Sequence, residues 1–321
     1  MTRILTVGFS PTIQNTVNFA SFEKNRVNRS ERYRLDASGK AVNAARVLQQ
    51  IEKGCATAFC PLGTNNADEF LALAAPDGLS IEWVPVPGSV RHCYTLLETE
   101  SGQATELVVG EPVDVQQREV YEQGVEILIE RIASVISTAD AILVAGSCPA
   151  EYPADTYARI CRLARDAGRP VMADFRGKEL SLTLADAVPD IVKINEEEFC
   201  SSSGLDFPQT PESLLDELAE KSATLHNTLV ITRGTDETLA ASCGTVFRQP
   251  VNPVTPVNVI GCGDSFSAGF LHEWVLYKKN HNDNTTYTNN MIKQALSAGE
   301  KCAGLNAMNI RPGAIISEYI P

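Results

Sequence analysis

The sequence has 321 residues, of which 44% are hydrophobic and 21% charged, a composition typical of a soluble globular protein with a large core. Its formal net charge of −13 argues against a nucleic-acid or anionic-membrane surface, because Lys and Arg provide the affinity for such polyanions. Nine scattered cysteines without a C-x-x-C motif, and the lack of any apolar run long enough to span a bilayer, predict a cytoplasmic protein with reduced thiols.

Short apolar or β-branched runs alternate with helical stretches along most of the chain. This alternation predicts a three-layer α/β sandwich, in which helices cover both faces of a mostly parallel β-sheet. The predicted strands are Ile4–Val7, Thr57–Phe59, Ala141–Ala145, Val171–Asp174, Ile191–Ile194 and Leu229–Thr232. The predicted helices are Ala41–Glu52, Val120–Ser134, Pro153–Asp166, Pro211–Lys221 and Ser265–Leu276.

Two segments, residues 12–36 and 90–110, break this pattern, because their apolar residues alternate with period two and carry no helix signal. They predict a small antiparallel sheet that lies over the strand ends as a lid, with an exposed face on which a second copy can pair to form a homodimer. The predicted domains are an α/β domain of residues 1–11, 37–89 and 111–321, and a β lid of residues 12–36 and 90–110.

A glycine leads into the first predicted helix, at Gly39-Lys40. Lys40 and Asn43 are three residues apart and therefore neighbours in the first helical turn. Together with Arg91, at the start of a lid strand, Lys40 is a candidate to neutralise an anion held at this helix start; the alternative is that Lys40 is a solvated surface charge. The glycine and hydroxyl spacing of a P-loop is missing here, and no dinucleotide-binding glycine turn follows the first strand.

Sites in open α/β sheets gather at the carboxyl ends of the strands. By this rule the candidate positions are Gly146-Ser147, Asp174, Asn195 and Thr232-Arg233-Gly234.

Near the C-terminal end, Gly261-Cys262-Gly263-Asp264 stands where an extended stretch turns into an apolar helix. The backbone N–H groups of such a turn converge at a helix N-terminus. There they stabilise the negative charge of a phosphoryl group during its transfer. Asp264 is placed to take a proton from an attacking hydroxyl, so the motif predicts phosphoryl transfer to an alcohol. The alternative is an ordinary helix start capped by Asp264 and Ser265.

Taken together, these segments resemble the PfkB/ribokinase family of carbohydrate kinases, and more closely its phosphosugar branch of 1-phosphofructokinase and tagatose-6-phosphate kinase type. The likeness covers nearly the full chain. The blocks that carry it are Ser10–Ile13, Ser38–Leu48, Gly146–Pro149, Lys193–Glu198, Thr232–Gly234 and Gly261–Ser265.

The resemblance implies a sandwich with a β lid, ATP and Mg²⁺ as cosubstrates, and a phosphosugar acceptor. It implies that Asp264 is the catalytic base and that the amides of Gly261, Cys262 and Gly263 form an anion hole. Asn195 and Glu198 match the pair that organises Mg²⁺ through water. The remaining implied contacts are Thr232, Gly234, Gly261, Gly263 and Asn195 for the nucleotide, and Gln14, Gly39, Lys40, Asn43, Arg91, Glu111 and Asp264 for the substrate.

The departures from the family pattern that bear on the substrate lie at three positions. Asn258 and Val259 replace an Asp and a Thr before the glycines, and Gln14 stands where an Asp usually meets the sugar hydroxyls. An amide both donates and accepts hydrogen bonds but carries no charge, so the sugar and the hydroxyl stay open. The alternatives are a kinase of an unphosphorylated sugar or nucleoside, and a sugar-phosphate-binding regulatory protein without catalysis.

Overall fold

The computed structural model describes residues 1–110, 117–281 and 289–316 of the chain. Two β-sheets and the helices around the larger one make up the fold. The main sheet consists of β1 (Ile4–Val7), β4 (Ala56–Gly63), β5 (Ser80–Val86), β8 (Ala141–Ala145), β9 (Val171–Asp174), β10 (Ile191–Asn195), β11 (Thr228–Arg233), β12 (Asp236–Ser242) and β13 (Thr245–Gln249). The lid sheet consists of β2 (Thr12–Phe19), β3 (Tyr33–Ser38), β6 (Arg91–Glu98) and β7 (Ala104–Val108).

The helices alternate with the strands of the main sheet. They are α1 (Lys40–Ile51), α2 (Ala67–Ala74), α3 (Arg118–Ile136), α4 (Thr156–Asp166), α5 (Gly177–Asp186), α6 (Glu196–Ser203), α7 (Pro211–Leu225), α8 (Cys262–His281) and α9 (Asn289–Ala307). Among the helices of the described residues, none is long and apolar enough to cross a membrane.

The main sheet is parallel except at one edge, where β12 and β13 continue it in antiparallel fashion after β11. Its strand order is β13-β12-β11-β10-β9-β8-β1-β4-β5. Strands in the middle are buried on both faces, which is why β1 and β8 are continuous apolar runs rather than alternating ones. The predicted sandwich is therefore confirmed.

Two layers of helices cover this sheet. Ile142 and Val144 point to the face covered by α3 to α7, whereas Leu143 and Ala145 point to the face covered by α1, α8 and α9. Since successive side chains of a strand point to opposite faces, one strand supplies both halves of the core. Trp274 of α8 is among the largest side chains of the second half and is fully buried.

The lid sheet has the order β3-β2-β6-β7 and is built from the two segments that broke the pattern in the sequence. The prediction that it is antiparallel is wrong for its central pair, because β2 and β6 run parallel from Thr12 beside Arg91 to Phe19 beside Glu98. Both strands start from the carboxyl ends of parallel main-sheet strands, β2 after β1 and β6 after β5. They therefore start in the same direction.

Candidate active site

A cleft of about 640 Å³ lies between the carboxyl ends of the main-sheet strands and the lid sheet. From the α/β side it is lined by Gly39, Lys40, Asn43, Gly146, Glu198, Gly261 and Asp264. From the lid side it is lined by Thr12, Gln14, Arg91, Cys93, Glu106 and Val108. Most of the residues predicted to bind substrate thus face one cavity, of a size typical for small-molecule sites.

The floor of the cleft is the first turn of α8. Gly261 has φ 84°, a left-handed conformation that favours glycine, and a Cβ there would come within 3.0 Å of the Gly313 nitrogen. The Ser265 N–H donates to the Gly261 carbonyl (2.9 Å), which starts the helix. The Cys262 N–H, one of the predicted anion-hole amides, donates to the Val259 carbonyl at 3.3 Å. A Cβ on Gly263 would lie 2.8 Å from Lys193 Nζ, so a larger residue there would displace the end of that lysine.

Asp264 lies in this first turn with only 8% of its surface exposed. Its Oδ2 accepts a hydrogen bond from Asn43 Nδ2 of α1 (2.8 Å). Burial is the largest influence and raises the pKa of Asp264 above its usual range; the charge of Asp174 acts in the same direction, while Lys40 and Asn43 oppose it. A carboxylate with a raised pKa holds a proton more readily, as a general base must.

The side-chain oxygen of Asn43 is also hydrogen-bonded. Its Oδ1 accepts hydrogen bonds from Ser38 Oγ (3.0 Å) and from an Arg46 terminal nitrogen (3.0 Å). Asn43 is 3% exposed, so most of its hydrogen-bonding capacity is used inside the protein. In this structure Asn43 therefore orients Asp264. The small exposed part of Asn43 lines the cleft.

Asp174, at the carboxyl end of β9, connects α1, β10 and α8 through its carboxylate. Its Oδ1 accepts from Lys40 Nζ (2.7 Å), and its Oδ2 accepts from Lys193 Nζ (3.1 Å) and Ser267 Oγ (2.6 Å). Lys193 also donates to the Gly263 carbonyl (3.2 Å), so that the same lysine supports the glycine turn. Sequence reasoning singled out Asp174 by its strand-end position but assigned no role to Lys193 or Ser267.

This cluster remains charged. Burial acts to raise the pKa of Asp174, but Lys193 and Lys40 outweigh it and hold that pKa well below its usual range. Burial acts to lower the pKa of Lys40, but Asp174 and Asp264 outweigh it and raise that pKa above its usual range. Lys40 therefore brings a full positive charge to the cleft, where 37% of its side chain is exposed. Gly39 before it has φ 108°, and a Cβ there would lie 2.7 Å from the Ser10 carbonyl oxygen.

The lid contributes Arg91 and Gln14. Arg91 Nε donates to Thr12 Oγ1 (3.2 Å), and the guanidinium faces the cleft. Gln14 is 2% exposed, and its Nε2 donates to Thr95 Oγ1 (2.8 Å). Glu106 of β7 also faces the cleft, and sequence reasoning missed it. Partial burial against the cleft chiefly raises the pKa of Glu106, Asp264 adds to the effect, and Arg91 opposes it.

Asn195 and Glu198 form a reciprocal cap at the start of α6. The Glu198 N–H donates to Asn195 Oδ1 (2.8 Å), and the Asn195 N–H donates to Glu198 Oε2 (3.1 Å). Arg176 pairs with Glu198 Oε1 at 3.4 Å, and Glu198 lines the cleft.

Thr232 is aligned with Asn195 in the register of β10 and β11, and Gly234 follows with φ 66°. Neither Thr232 nor Gly234 is among the residues that line the cleft, and the predicted contact Glu111 lies outside the described residues.

Comparison with known proteins supports one family over nearly the whole chain. The family model described as pfkB family carbohydrate kinase matches residues 1–316. The chain is 30% identical to 1-phosphofructokinase from Rhodobacter capsulatus over 276 residues, which cover 84% of this chain and 83% of the relative. Kinases of this family use ATP.

Solved structures share the fold. Phosphofructokinase-2 from Escherichia coli, in complex with substrates and products, has a TM-score of 0.81 at 19% identity, covering 96% of this chain and 94% of that one. The same Escherichia coli protein is also known in complex with fructose-6-phosphate and in a tetrameric inhibited form. A possible 1-phosphofructokinase from Thermotoga maritima has a TM-score of 0.77 at 18% identity, with coverage of 94% and 92%. With a family model that spans both the lid and the glycine turn of α8, the chain belongs to the pfkB family of carbohydrate kinases and is a phosphotransferase.

Proposed function

We propose that this kinase transfers the terminal phosphoryl group of ATP to a hydroxyl of a phosphorylated ketohexose, giving a bisphosphate and ADP. The observation that carries the proposal is that a buried carboxylate at a glycine-lined helix start, Asp264, shares one cleft with the cations Lys40 and Arg91. The 1-phosphofructokinase relative supports the substrate class. Fructose 1-phosphate, fructose 6-phosphate and tagatose 6-phosphate are the candidate acceptors.

In this mechanism the acceptor hydroxyl lies between Asp264 and the terminal phosphorus of ATP. The hydroxyl oxygen forms a bond to phosphorus, the bridging P–O bond of ATP breaks, and the hydroxyl proton moves to Asp264. Because the transition state is loose, the proton is needed only late, and positioning with charge stabilisation supplies most of the acceleration. We assign that stabilisation to the amides of Gly261 and Gly263 together with the charge of Lys40, since the Cys262 amide already donates to the Val259 carbonyl.

The substrate's own phosphate is assigned to Arg91 and Lys40, which approach the cleft from the lid and from α1. The assignment is chemically sensible because a phosphate requires cations, and the chain as a whole is acidic. Gln14 and Asn43 are assigned to sugar hydroxyls, which both donate and accept hydrogen bonds as an amide does. Gly39 precedes α1 and has no side chain, so the substrate can approach the start of α1 closely.

We assign the nucleotide to the ends of β10 and β11, at Thr232 and Gly234, and Mg²⁺ to Glu198 and Asn195. The donor set fits a hard cation held through water, because Asn195 and Glu198 offer oxygen atoms and the reciprocal cap fixes their orientation at the start of α6. When bound, Mg²⁺ neutralises charge on the phosphates. Asn195 keeps Glu198 oriented toward the cleft.

A second candidate acceptor is an unphosphorylated sugar, and one observation favours it. The cleft presents carboxylates as well as cations, with Glu106 and Glu179 facing it beside Glu198 and Asp264. Carboxylates bind sugar hydroxyls well and repel a phosphate. The charge of the acceptor is therefore what an experiment must decide.

A homodimer through the lid sheet is part of the proposal. The lid strand β7 is an edge strand, and each of its residues is exposed, Leu107 among them. An exposed edge with apolar side chains is a common place for a second chain to pair. The tetrameric form of the Escherichia coli relative shows that this fold can assemble in that protein.

The test is ADP release at fixed Mg·ATP with the three phosphorylated ketohexoses, and with fructose, ribose and a nucleoside as uncharged comparators. We expect turnover with at least one phosphoketose and a kcat/KM for it that exceeds those of the comparators. Asp264→Asn should reduce kcat by about 100- to 10,000-fold, the usual contribution of a general base, while ATP binding measured by calorimetry persists. Preference for an uncharged acceptor would favour the second candidate, and full activity of Asp264→Asn would contradict the mechanism.

A further inference from the structure

Three side chains of metal-binding type converge at the end of α1 that is remote from the cleft. Glu52 follows the last residue of α1, Cys55 precedes β4, and His272 lies in the middle of α8. A Glu52 carboxylate oxygen, Cys55 Sγ and a ring nitrogen of His272 all lie within 4.8 Å of one another. The first two are three residues apart and the third is more than 200 residues away, so sequence spacing gives no sign of the cluster.

The spacing suits a single ion. His272 Nε2 and Glu52 Oε2 are 3.1 Å apart. Two ligands at about 2.0–2.1 Å from a tetrahedral Zn²⁺ lie roughly 3.3 Å from each other, so this pair needs little movement to share an ion. Cys55 is 2% exposed and His272 8% exposed, which keeps competing water away from two of the three ligands.

A neighbouring residue orients the carboxylate, as is usual around bound metals. The Thr2 N–H donates to both Glu52 oxygens (3.1 and 3.2 Å), and Thr2 Oγ1 donates to Oε2 (2.7 Å). Of the three candidate ligands, Cys55 also lines a cavity of about 420 Å³, so the cluster lies beside open space. An oriented set of ligands is one requirement of a metal site, and Thr2 provides that orientation for Glu52.

We propose that Glu52, Cys55 and His272 bind one Zn²⁺ ion, with a water molecule in the fourth position. Sulfur, imidazole and carboxylate donors together select zinc over Mg²⁺ or Ca²⁺, which prefer oxygen. On binding, Cys55 releases its proton and the thiolate sulfur forms the bond to the ion, with no change of oxidation state. The alternative is the hydrogen bonding already present, in which His272 pairs with Glu52 and the Cys55 thiol donates to the Leu48 carbonyl (3.3 Å).

The ion would join the end of α1 to the middle of α8, and both helices carry active-site residues in their first turns. α1 starts with Lys40 and contains Asn43, and α8 contains Asp264 in its first turn. The two helices pack against each other. Zinc at this place fixes one helix relative to the other and acts on stability, not on the phosphoryl transfer itself.

The experiment uses the full chain, reduced and freed of metal with a chelator, and titrates it with Co²⁺ as a spectroscopic substitute for Zn²⁺. We expect one equivalent to bind with a thiolate-to-metal charge-transfer band that added Zn²⁺ removes. Cys55→Ser and His272→Gln should each lose that band. Cys243→Ser, which changes an exposed cysteine, should retain it. Zn²⁺ should raise the Tm of the wild type and of Cys243→Ser, but not of Cys55→Ser.

The proposal is overturned if the wild type binds no equivalent of Co²⁺, or if the band survives in both ligand variants. If those variants do not fold, alkylation of the folded wild type read by mass spectrometry decides the question. Zn²⁺ must then protect Cys55 from the thiol reagent and leave Cys243 reactive; equal labelling of Cys55 with and without Zn²⁺ overturns the site. All these readouts are independent of the sugar that the kinase accepts.

Discussion

Asp174 holds two lysines beside the start of α8. With 1% of its side chain exposed, it accepts hydrogen bonds from Lys40 and Lys193 on its two oxygens. A buried carboxylate in this position keeps both cations fixed at the edge of the cleft before any phosphate arrives. Preorganised charge of this kind stabilises a phosphoryl group in flight without reorganisation during the reaction.

The assignment of Arg91 to the substrate phosphate leads to the first residue-scale prediction. Arg91→Ala should raise the KM for a phosphorylated ketohexose about 10- to 100-fold, since a hydrogen bond to a charged group contributes about 1.5–3 kcal/mol. The KM for ATP should stay unchanged. The measurement is initial-rate kinetics with each substrate varied in turn, and Arg26→Ala, an exposed arginine in the connection between β2 and β3, is the matched control.

If Arg91→Ala lowers kcat/KM equally for fructose and for its phosphate, Arg91 does not bind the substrate phosphate. Such a result would indicate instead that its contact with Thr12 merely holds the lid strand in place.

The contact between Asn43 and Asp264 predicts a shift in pH dependence. The Asn43 N–H stabilises the charged carboxylate and therefore lowers the pKa of Asp264. Without this donor the pKa rises further, so the acidic limb of the kcat/KM profile should move to higher pH in Asn43→Ala. The profile is measured between the acid limit of stability and neutral pH, with circular dichroism at each point.

Ser38→Ala is the matched control, because it removes a contact to the other end of the Asn43 amide and leaves the donor to Asp264 in place. Its acidic limb should coincide with that of the wild type. If Asn43→Ala lowers the rate without moving the limb, Asn43 acts on substrate or on folding rather than through the charge of Asp264.

At the scale of elements, the start of α8 depends on a backbone conformation that only glycine adopts easily. Gly261→Ala should cost about 1–3 kcal/mol of unfolding free energy from the left-handed φ, and more from the close approach of Pro312 and Gly313. Because the displaced amides belong to the proposed anion hole, kcat should fall as well. Urea unfolding and steady-state kinetics measure the two effects.

Gly168→Ala separates strain from crowding. Gly168 also has positive φ, 65°, but a Cβ there meets nothing within 4 Å, and it lies after α4, away from the cleft. Gly168→Ala should be destabilised only by the backbone strain, about 1–3 kcal/mol, and should keep the wild-type kcat. Equal destabilisation of the two variants would contradict a role for the packing of Gly261 against Pro312 and Gly313.

Sequence reasoning predicted elements better than it predicted the contacts between them. The central strands were predictable because burial on both faces makes them continuous apolar runs, as in Ala141–Ala145. The antiparallel pair Asp236–Ser242 and Thr245–Gln249 was not predicted, since its short runs carry little periodicity. The parallel pairing of the two lid strands depends on where each leaves the main sheet, which no local pattern records.

The candidate site shows the same division. Asp264 and Lys40 stand next to glycines that mark helix starts, so local sequence was enough to select them. Lys193 does carry a local signal, because a lysine among the apolar residues of β10 needs a buried partner. Glu106 offered none, because only the folded lid turns it toward Asp264.

At the scale of the whole molecule, the lid sheet is where a second copy would pair. Leu107 lies on β7 between Glu106 and Val108, which face the cleft, so its side chain points to the opposite face and is 48% exposed. We expect the wild type to sediment as a dimer and Leu107→Arg as a monomer, because a buried unpaired charge opposes association. Val246→Arg, on the edge strand β13 of the main sheet and 46% exposed, should remain dimeric. Sedimentation velocity over a range of concentrations distinguishes these outcomes, and a wild type that is monomeric throughout, or a Leu107→Arg that still dimerises, would exclude the lid as the interface.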